Sequence, residues 1–145
     1  MAESGKKLLD RWLELLRAEG YRPAVEQVPA SPELSYLAFK VEGTNRVLVL
    51  DEDDPSFANL VMTWSLGRDL PRSGVLLEVA NELNRELKAL KVVIDLPQEA
   101  VHFTVETISD ALPDSAAFQR MLLVGSAAAA QFFERARAAA RRTVA

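Results

Sequence analysis

The sequence contains a single histidine, His102, and its neighbours decide whether it can act as a base. His102 alternates with Val101 and Phe103, which is the pattern of a half-buried strand. Such a strand places His102 beside Thr104 and Glu106 on its polar face. A histidine next to a carboxylate can act as a general base, but hydrolysis also needs a nucleophile arranged with it. The sequence shows none, so we interpret His102 as a strand residue that faces solvent.

An acidic run, Asp51 to Asp54, precedes Pro55. Carboxylate oxygens are the ligands that hard cations prefer. However, the run lacks the alternating spacing, the central glycine and the distant glutamate of a calcium loop. We interpret it as a turn that reverses the chain, with weak cation binding as the alternative. No metal or cofactor is predicted.

The loop before the second predicted helix carries Arg68 and Arg72, close to where helix amides point outward and attract anions. It lacks the Gly-Lys-Ser/Thr ending of a phosphate-binding loop. We interpret it as a solvated loop. A regulatory domain that senses a small ligand or a metal, through this loop or the acidic turn, is the alternative hypothesis for function.

The stretch EVANELNRELK lies in a predicted helix, yet its two asparagines compete with the helical backbone for hydrogen bonds. At about 100° per residue, Asn81 and Asn84 fall beside the apolar stripe. With Leu77 and Lys88 they form one lateral stripe along the helix. Because an asparagine amide offers both a donor and an acceptor, we expect these amides to hold the helix to neighbouring backbone. Oligomer contact and ligand binding are the alternatives for this set of structural or interface candidates.

The elements that position these residues follow from the hydrophobic period. Residues 4 to 19 alternate apolar and charged faces like a helix, which Ser4 can cap and Gly20 can end. From there the period changes to two, which predicts strands. The predicted strands lie at 21 to 28, 34 to 42, 46 to 51 and 57 to 66, then at 91 to 96 and 100 to 108 after a second helix at 73 to 90.

A long last helix is predicted from Asp114 or Ser115, either of which can cap it, to about residue 142. Residues on one face alternate spacings of four and three and form a seam of small residues with aromatic knobs. Such a seam permits close helix approach, with the first helix or another protomer as the partner. The seam residues are Phe118, Leu122, Gly125, Ala129, Phe132, Ala136 and Ala139.

The order α-β-β-β(-β)-α-β-β-α predicts an α+β fold in which helices flank an antiparallel sheet. The 145 residues suit a single domain, and the net charge of −4 argues against nucleic-acid binding. The absence of cysteine excludes disulfides and thiolate chemistry. Charged residues interrupt the apolar start of the chain, so we predict a cytoplasmic protein without a membrane span.

Several short stretches carry a family resemblance across almost the whole chain. They are Gly20 and Tyr21, FKVEG at 39 to 43, DPSF at 54 to 57, ANELN at 80 to 84 followed by Lys88 and Lys91, ID at 94 to 95 and VHFTVE at 101 to 106. In these stretches and their order, the chain resembles the YbjN family of bacterial sensory-transduction regulators, whose fold is similar to that of type III secretion chaperones. The resemblance implies a single YbjN-like domain over residues 1 to 145.

The resemblance also implies a function without known enzymatic activity. Secretion chaperones of this shape form dimers that hold an extended segment of a partner protein. We therefore expect a non-enzymatic cytoplasmic interaction module, chaperone-like or regulatory, that forms a homodimer. It would bind a protein partner of unknown identity on an exposed sheet or helix surface.

Overall fold

The structure is a computed structural model that describes residues 7 to 72 and 74 to 144. Within these ranges the chain forms three helices and six strands. In chain order they are α1 (Leu8–Ala18), β1 (Ala24–Val28), β2 (Ser31–Val41), β3 (Thr44–Asp51), β4 (Phe57–Ser65), α2 (Gly74–Glu86), β5 (Lys91–Asp95), β6 (Ala100–Ile108) and α3 (Ser115–Val144).

The strands form one antiparallel sheet in the order β1-β2-β3-β4-β6-β5, and helices flank it. The predicted α+β fold class is confirmed. This order makes β1 and β5 the two edge strands. It also makes β4 a neighbour of β6, although α2 and β5 separate these two strands along the chain.

Two of the predicted helix boundaries have identifiable local causes. Gly20 has a φ of +92°, and its N–H donates to the carbonyl of Arg17, which ends α1 as expected. Of the two candidate caps of α3, Asp114 serves, because its Oδ1 accepts from the N–H of Ala117 at 2.8 Å. The predicted cap at Ser4 lies outside the described residues.

The second helix is shorter than predicted. It ends at Glu86 instead of continuing to residue 90. Ala89 has a φ of +59°, a left-handed conformation that turns the chain so that it can enter β5. The apolar period continues past Glu86 because Leu90 is buried, although it is no longer helical.

The chain divides into two compact units, and β4, β6 and α3 each contribute residues to both. Among the described residues, one unit comprises residues 7 to 61 and 106 to 118, and the other comprises residues 62 to 72, 74 to 105 and 119 to 144. In the first, the ring of Phe118 packs 6.2 Å from that of Trp12 and 6.3 Å from that of Phe39, between centroids. In the second, Phe103 packs 6.0 Å from Phe132 and 5.5 Å from Trp64.

The seam of α3 is buried as predicted. The prediction that another helix covers it is wrong for much of its length. Phe118 does meet Trp12 of α1. Further along, Phe132 packs on Phe103 of β6, and the side chain of Met62 in β4 fills the space that a Cβ on Gly125 would need. The small residues therefore bring α3 close to the strands. The periodicity gave the buried face correctly but carried no information about what covers it.

Candidate functional site

His102 lies on the face of β6 opposite the buried side chains, as the alternation predicts. Val101, Phe103 and Val105 are at most 4% exposed, and they form the inner face of the strand. The side chain of His102 is still only 25% exposed. Neighbouring strands rather than solvent supply its main contacts.

Two hydrogen bonds hold the imidazole of His102. Its Nδ1 lies 2.8 Å from Oγ1 of Thr63 in β4, and its Nε2 lies 3.0 Å from Oδ2 of Asp95 in β5. The three side chains thus form a line across β4, β6 and β5. The hydrogen bond from His102 lowers the pKa of the Asp95 carboxyl, which keeps this group ionised.

The imidazole of His102 is thus bonded to a hydroxyl on one side and a carboxylate on the other. An ionised Asp95 accepts a hydrogen bond from Nε2–H and so favours that tautomer, which leaves the Nδ1 lone pair to accept a hydrogen bond from the Thr63 hydroxyl. A base oriented by a carboxylate and bonded to a hydroxyl is the arrangement that activates nucleophiles. The Thr63 hydroxyl beside His102 was not predicted from the sequence.

Sequence reasoning missed both partners of His102 for the same reason. It pointed to Glu106 on the same strand, whereas the bonded carboxylate is Asp95 on the adjacent one. Thr63 is 39 residues away and meets His102 only because β4 and β6 are neighbours. Strand alternation gives the face of a side chain, but the strand order is needed to name its neighbours.

Asn84 makes the backbone contact expected of it. Its Nδ2 donates to the carbonyl of Val92 at 3.1 Å, and its Oδ1 accepts from the N–H of Val92 at 2.7 Å. Val92 lies in the edge strand β5, so these two groups point away from the sheet. The amide of Asn84 therefore satisfies edge groups that no further strand pairs with.

For Asn81 the same expectation is wrong. Its side chain is exposed in an open depression beside Glu78 and Glu82, and it makes no hydrogen bond to any residue that the structure describes. Asn81 lies about 60° further round the helix from the core than Asn84, which turns its amide away from β5. The position of Asn81 beside the apolar stripe was therefore not sufficient to predict a hydrogen bond to neighbouring backbone.

The other two members of the lateral stripe also differ in their surroundings. Leu77 is 51% exposed on α2, which leaves it available for a contact with another molecule. Lys88 is exposed and lies after the end of the helix at Glu86. The predicted four-residue stripe therefore does not continue along the helix to Lys88.

The acidic run forms a turn with internal hydrogen bonds. Asp51 Oδ1 accepts from the N–H of Asp53 at 2.9 Å, and Asp54 Oδ1 accepts from the hydroxyl of Ser56 at 3.1 Å. These bonds are typical of chain reversal. Within the described ranges, no group of three or more His, Asp or Glu side chains is arranged to hold a metal ion.

In the loop that carries Arg68 and Arg72, the side chain of Arg72 bonds to other groups of the same chain. Arg72 donates from Nη1 to the carbonyl of Leu70 at 2.6 Å, and its Nη2 lies 3.4 Å from Oε1 of Glu99. Arg68 is exposed. A guanidinium that already bonds to a carbonyl and a carboxylate has less capacity for a further anion.

The opposite edge of the sheet is open. In β1, Val28 is half-buried and the other four residues are exposed, including Val25 at 43%. No side chain of the described residues bonds to β1 in the way that Asn84 bonds to Val92. From Ala24 to Gln27, before the register against β2 shifts at Val28, alternate N–H and C=O groups of β1 therefore face solvent, as they do in a strand that has one neighbour.

A cleft of about 500 Å³ lies at the start of β1. Tyr21 and Phe39 contribute aromatic walls, with ring centroids 5.2 Å apart, while Arg22 and Lys40 contribute exposed cationic side chains. Asn45 of β3 also lines the cleft. Sequence reasoning missed this cleft, because its residues come from three separate segments.

A buried arginine lies next to the cleft. Arg46 is 2% exposed, and its Nη1 donates to the carbonyl of Asn45 at 3.2 Å. Burial lowers the pKa of its guanidinium, while Glu42 and Tyr21 act in the opposite direction. Arg46 shares the inner face of β3 with Leu48 and Leu50. Sequence periodicity predicts an apolar side chain at this position.

Comparison with known proteins gives a fold. No family model matches the chain, and no curated protein matches it. An uncharacterized protein from Methanothermobacter thermautotrophicus is similar, with a TM-score of 0.64 and 12% sequence identity over 89% of this chain and 99% of that chain. At this identity the likeness shows the α+β fold alone.

The helices were also compared with the requirements of a membrane span. Across the described ranges, no helix combines the length and the apolar character needed to cross a bilayer.

Proposed function

We propose that the protein is a non-enzymatic cytoplasmic interaction module that binds an extended segment of another protein along β1. The observation that carries the proposal is the difference between the two edges of the sheet. At β5, Asn84 satisfies the outward groups of Val92, whereas β1 keeps its outward groups exposed. Exposed edge groups are a template for strand addition, in which main-chain hydrogen bonds supply affinity.

The length of β1 sets the size of the bound segment. The strand has five residues, and Pro23 and Pro29 flank it directly. Proline lacks an N–H donor, so the row of available groups ends at both sides. The segment should therefore pair over about five residues, and its affinity should depend strongly on its side chains.

A blocked edge tests this function. Val25→Lys adds a charge to the middle of the open edge, which disfavours pairing with another strand. We expect proteins captured by the wild type in a quantitative pull-down to be lost with this variant. Leu123→Lys is the matched control, because Leu123 is also apolar and 67% exposed but lies on α3.

Hydrogen exchange identifies where a captured partner binds. Amides of β1 should gain protection when the partner is added, and those of β5 should not change. The same loss of partners with both lysine variants, or protection confined to the helices, would contradict binding at the edge.

We further propose a homodimer and membership of the YbjN family, with its type III secretion chaperone-like fold. The exposure of Leu77 on α2 supports a contact between protomers, and the observed element order supports the family. Light scattering at micromolar concentration should give twice the mass of 16.0 kDa, and Leu77→Glu should give that mass itself. A monomeric wild type would remove the dimer from the proposal.

Acyl transfer is a second candidate function, favoured by the line of Thr63, His102 and Asp95. The Thr63 hydroxyl would attack the carbonyl carbon of an activated ester, its proton would pass through His102 to the leaving alcohol, and water would later release the acid. Turnover of p-nitrophenyl acetate should then fall with Thr63→Val but persist with Ser65→Ala, a hydroxyl two residues further along β4. Equal rates for wild type and Thr63→Val would exclude this candidate.

A further inference from the structure

We infer that the segment bound along β1 carries acidic side chains at its carboxyl-terminal end, and that these lie in the cleft at the start of the strand. The inference rests on the proposed function and adds the charge and the direction of the bound segment. Three features carry it: the continuity of the edge with the cleft, the charge of the lining, and the polarity of strand addition.

The cleft continues the open edge. Ala24, the first residue of β1, pairs with Ala38, whereas Phe39 and Lys40 pair with β3 on their other side and lie beyond the start of β1. Ala24, Ala38, Phe39 and Lys40 all line the cleft. A strand added along β1 therefore leads directly into it.

The lining of the cleft has a distinct charge. Arg22 and Lys40 are both exposed there, and none of the described residues that line it is acidic, although the whole chain has a net charge of −4. By contrast, Glu26 is exposed in the middle of β1. Carboxylates of a bound segment are therefore attracted at the cleft and repelled along the strand.

The polarity of β1 then gives the direction. All strands of the sheet are antiparallel to their neighbours, and antiparallel pairing is slightly more stable than parallel pairing. An antiparallel segment runs from the side of Val28 towards Ala24. Its carboxyl-terminal end is therefore the end that reaches Arg22 and Lys40.

Three synthetic peptides test the inference with the full chain. Each is acetylated, amidated and fluorescently labelled, and contains the repeat Thr-Val-Thr-Val-Thr with two glutamates after it, two glutamates before it, or none. Amidation removes the terminal carboxylate, so the two peptides that contain glutamates differ only in the position of those glutamates. In fluorescence anisotropy at low salt, the peptide with trailing glutamates should bind about tenfold more tightly than the one with leading glutamates.

Charge-reversal variants test whether Arg22 and Lys40 cause the preference for trailing glutamates. The double variant Arg22→Glu and Lys40→Glu should abolish the preference, while Arg120→Glu, an exposed cation on α3, should leave it unchanged. Retention of the preference in the double variant would overturn the inference.

The remaining outcomes distinguish a failure of this inference from a failure of the proposed function. Equal binding of all three peptides, with protection of β1 amides, overturns the inference and supports the proposed function. Tighter binding of the peptide with leading glutamates overturns the predicted direction. If no peptide binds and the β1 amides stay unprotected, both proposals fail.

Discussion

The carboxamide of Asn84 presents the same donor and acceptor pair as a peptide group, and both atoms bond to Val92. One side chain thus replaces two hydrogen bonds that a further strand would make. Asn81, three residues earlier on the same helix, has the same chemistry and is also exposed, but it makes no hydrogen bond to any described residue. The two residues therefore form a natural matched pair for measuring what the backbone contact contributes.

We predict that Asn84→Ala lowers the free energy of unfolding by about 1 to 3 kcal/mol, because it leaves the N–H and C=O of Val92 without this partner. Asn81→Ala should change it by less than about 0.5 kcal/mol, because this side chain makes no hydrogen bond within the part of the chain that the structure describes. Urea denaturation of both variants measures the difference. Similar losses in the two variants would show that the bonds to Val92 contribute little.

The line through His102 predicts a pH dependence. The pKa of Asp95 is lowered from its ordinary value of 3.8, chiefly by the hydrogen bond from His102. A carboxyl whose folded pKa is depressed contributes stability above its unfolded pKa, and this contribution disappears as the pH falls through the folded pKa. His102→Gln should therefore raise the pKa of Asp95 in an NMR titration of the side-chain carboxyl.

A control distinguishes this local effect from a general loss of structure. Thr63→Val removes the other hydrogen bond of His102 without removing the one to Asp95. In this variant the pKa of Asp95 should remain depressed. An unchanged pKa in His102→Gln would mean that the imidazole is not what holds the carboxyl ionised.

At the scale of elements, α3 is constrained where it crosses β4. Gly125→Ala would place a Cβ where the side chain of Met62 now lies. We expect a loss of about 1 to 3 kcal/mol from overpacking, despite the better helix propensity of alanine. Thermal or urea unfolding measures it.

The chain offers a matched control for this substitution. A Cβ added to Gly74, the first residue of α2, would meet nothing within 4 Å. Gly74→Ala should therefore be neutral or slightly stabilising. Combining Gly125→Ala with Met62→Ala should recover part of the loss, because the smaller side chain vacates the contested space, and a strictly additive double variant would contradict the packing argument.

The elements also show which structural information the sequence contains. Periodicity predicted the three helices, the strands and the buried face of α3, and local chemistry predicted the end of α1 at Gly20 and two candidate caps for α3, of which Asp114 serves. The contact between Thr63 and His102 and the packing of Gly125 against Met62 could not be predicted. Both depend on strand order or on the layer that covers a face, and neither leaves a local pattern.

At the scale of the whole molecule, a six-stranded sheet has two edges, which this protein treats in different ways. At the β5 edge Asn84 satisfies the outward groups of Val92, and the β1 edge is open. A protein with one open edge can accept one added strand at a time. This asymmetry is consistent with a module that binds a single segment and then stops.

We predict that the open edge determines which partner amides become protected. In a complex with a captured partner, the partner's own amides should gain protection over a stretch of about five residues, the length of β1. Hydrogen exchange with mass spectrometry on the complex measures this length. A protected stretch much longer than the strand would indicate a surface other than the edge.

The amide of Asn84 also has a consequence for assembly. If it were removed, the outward groups of Val92 would be unpaired at the β5 edge, as those of β1 are at the other edge, and these edges are different surfaces. An edge of one copy could then pair with the other edge of the next copy, which is a head-to-tail contact that need not close into a ring. We therefore expect the carboxamide of Asn84 to oppose head-to-tail pairing at Val92, the residue of β5 to which it bonds.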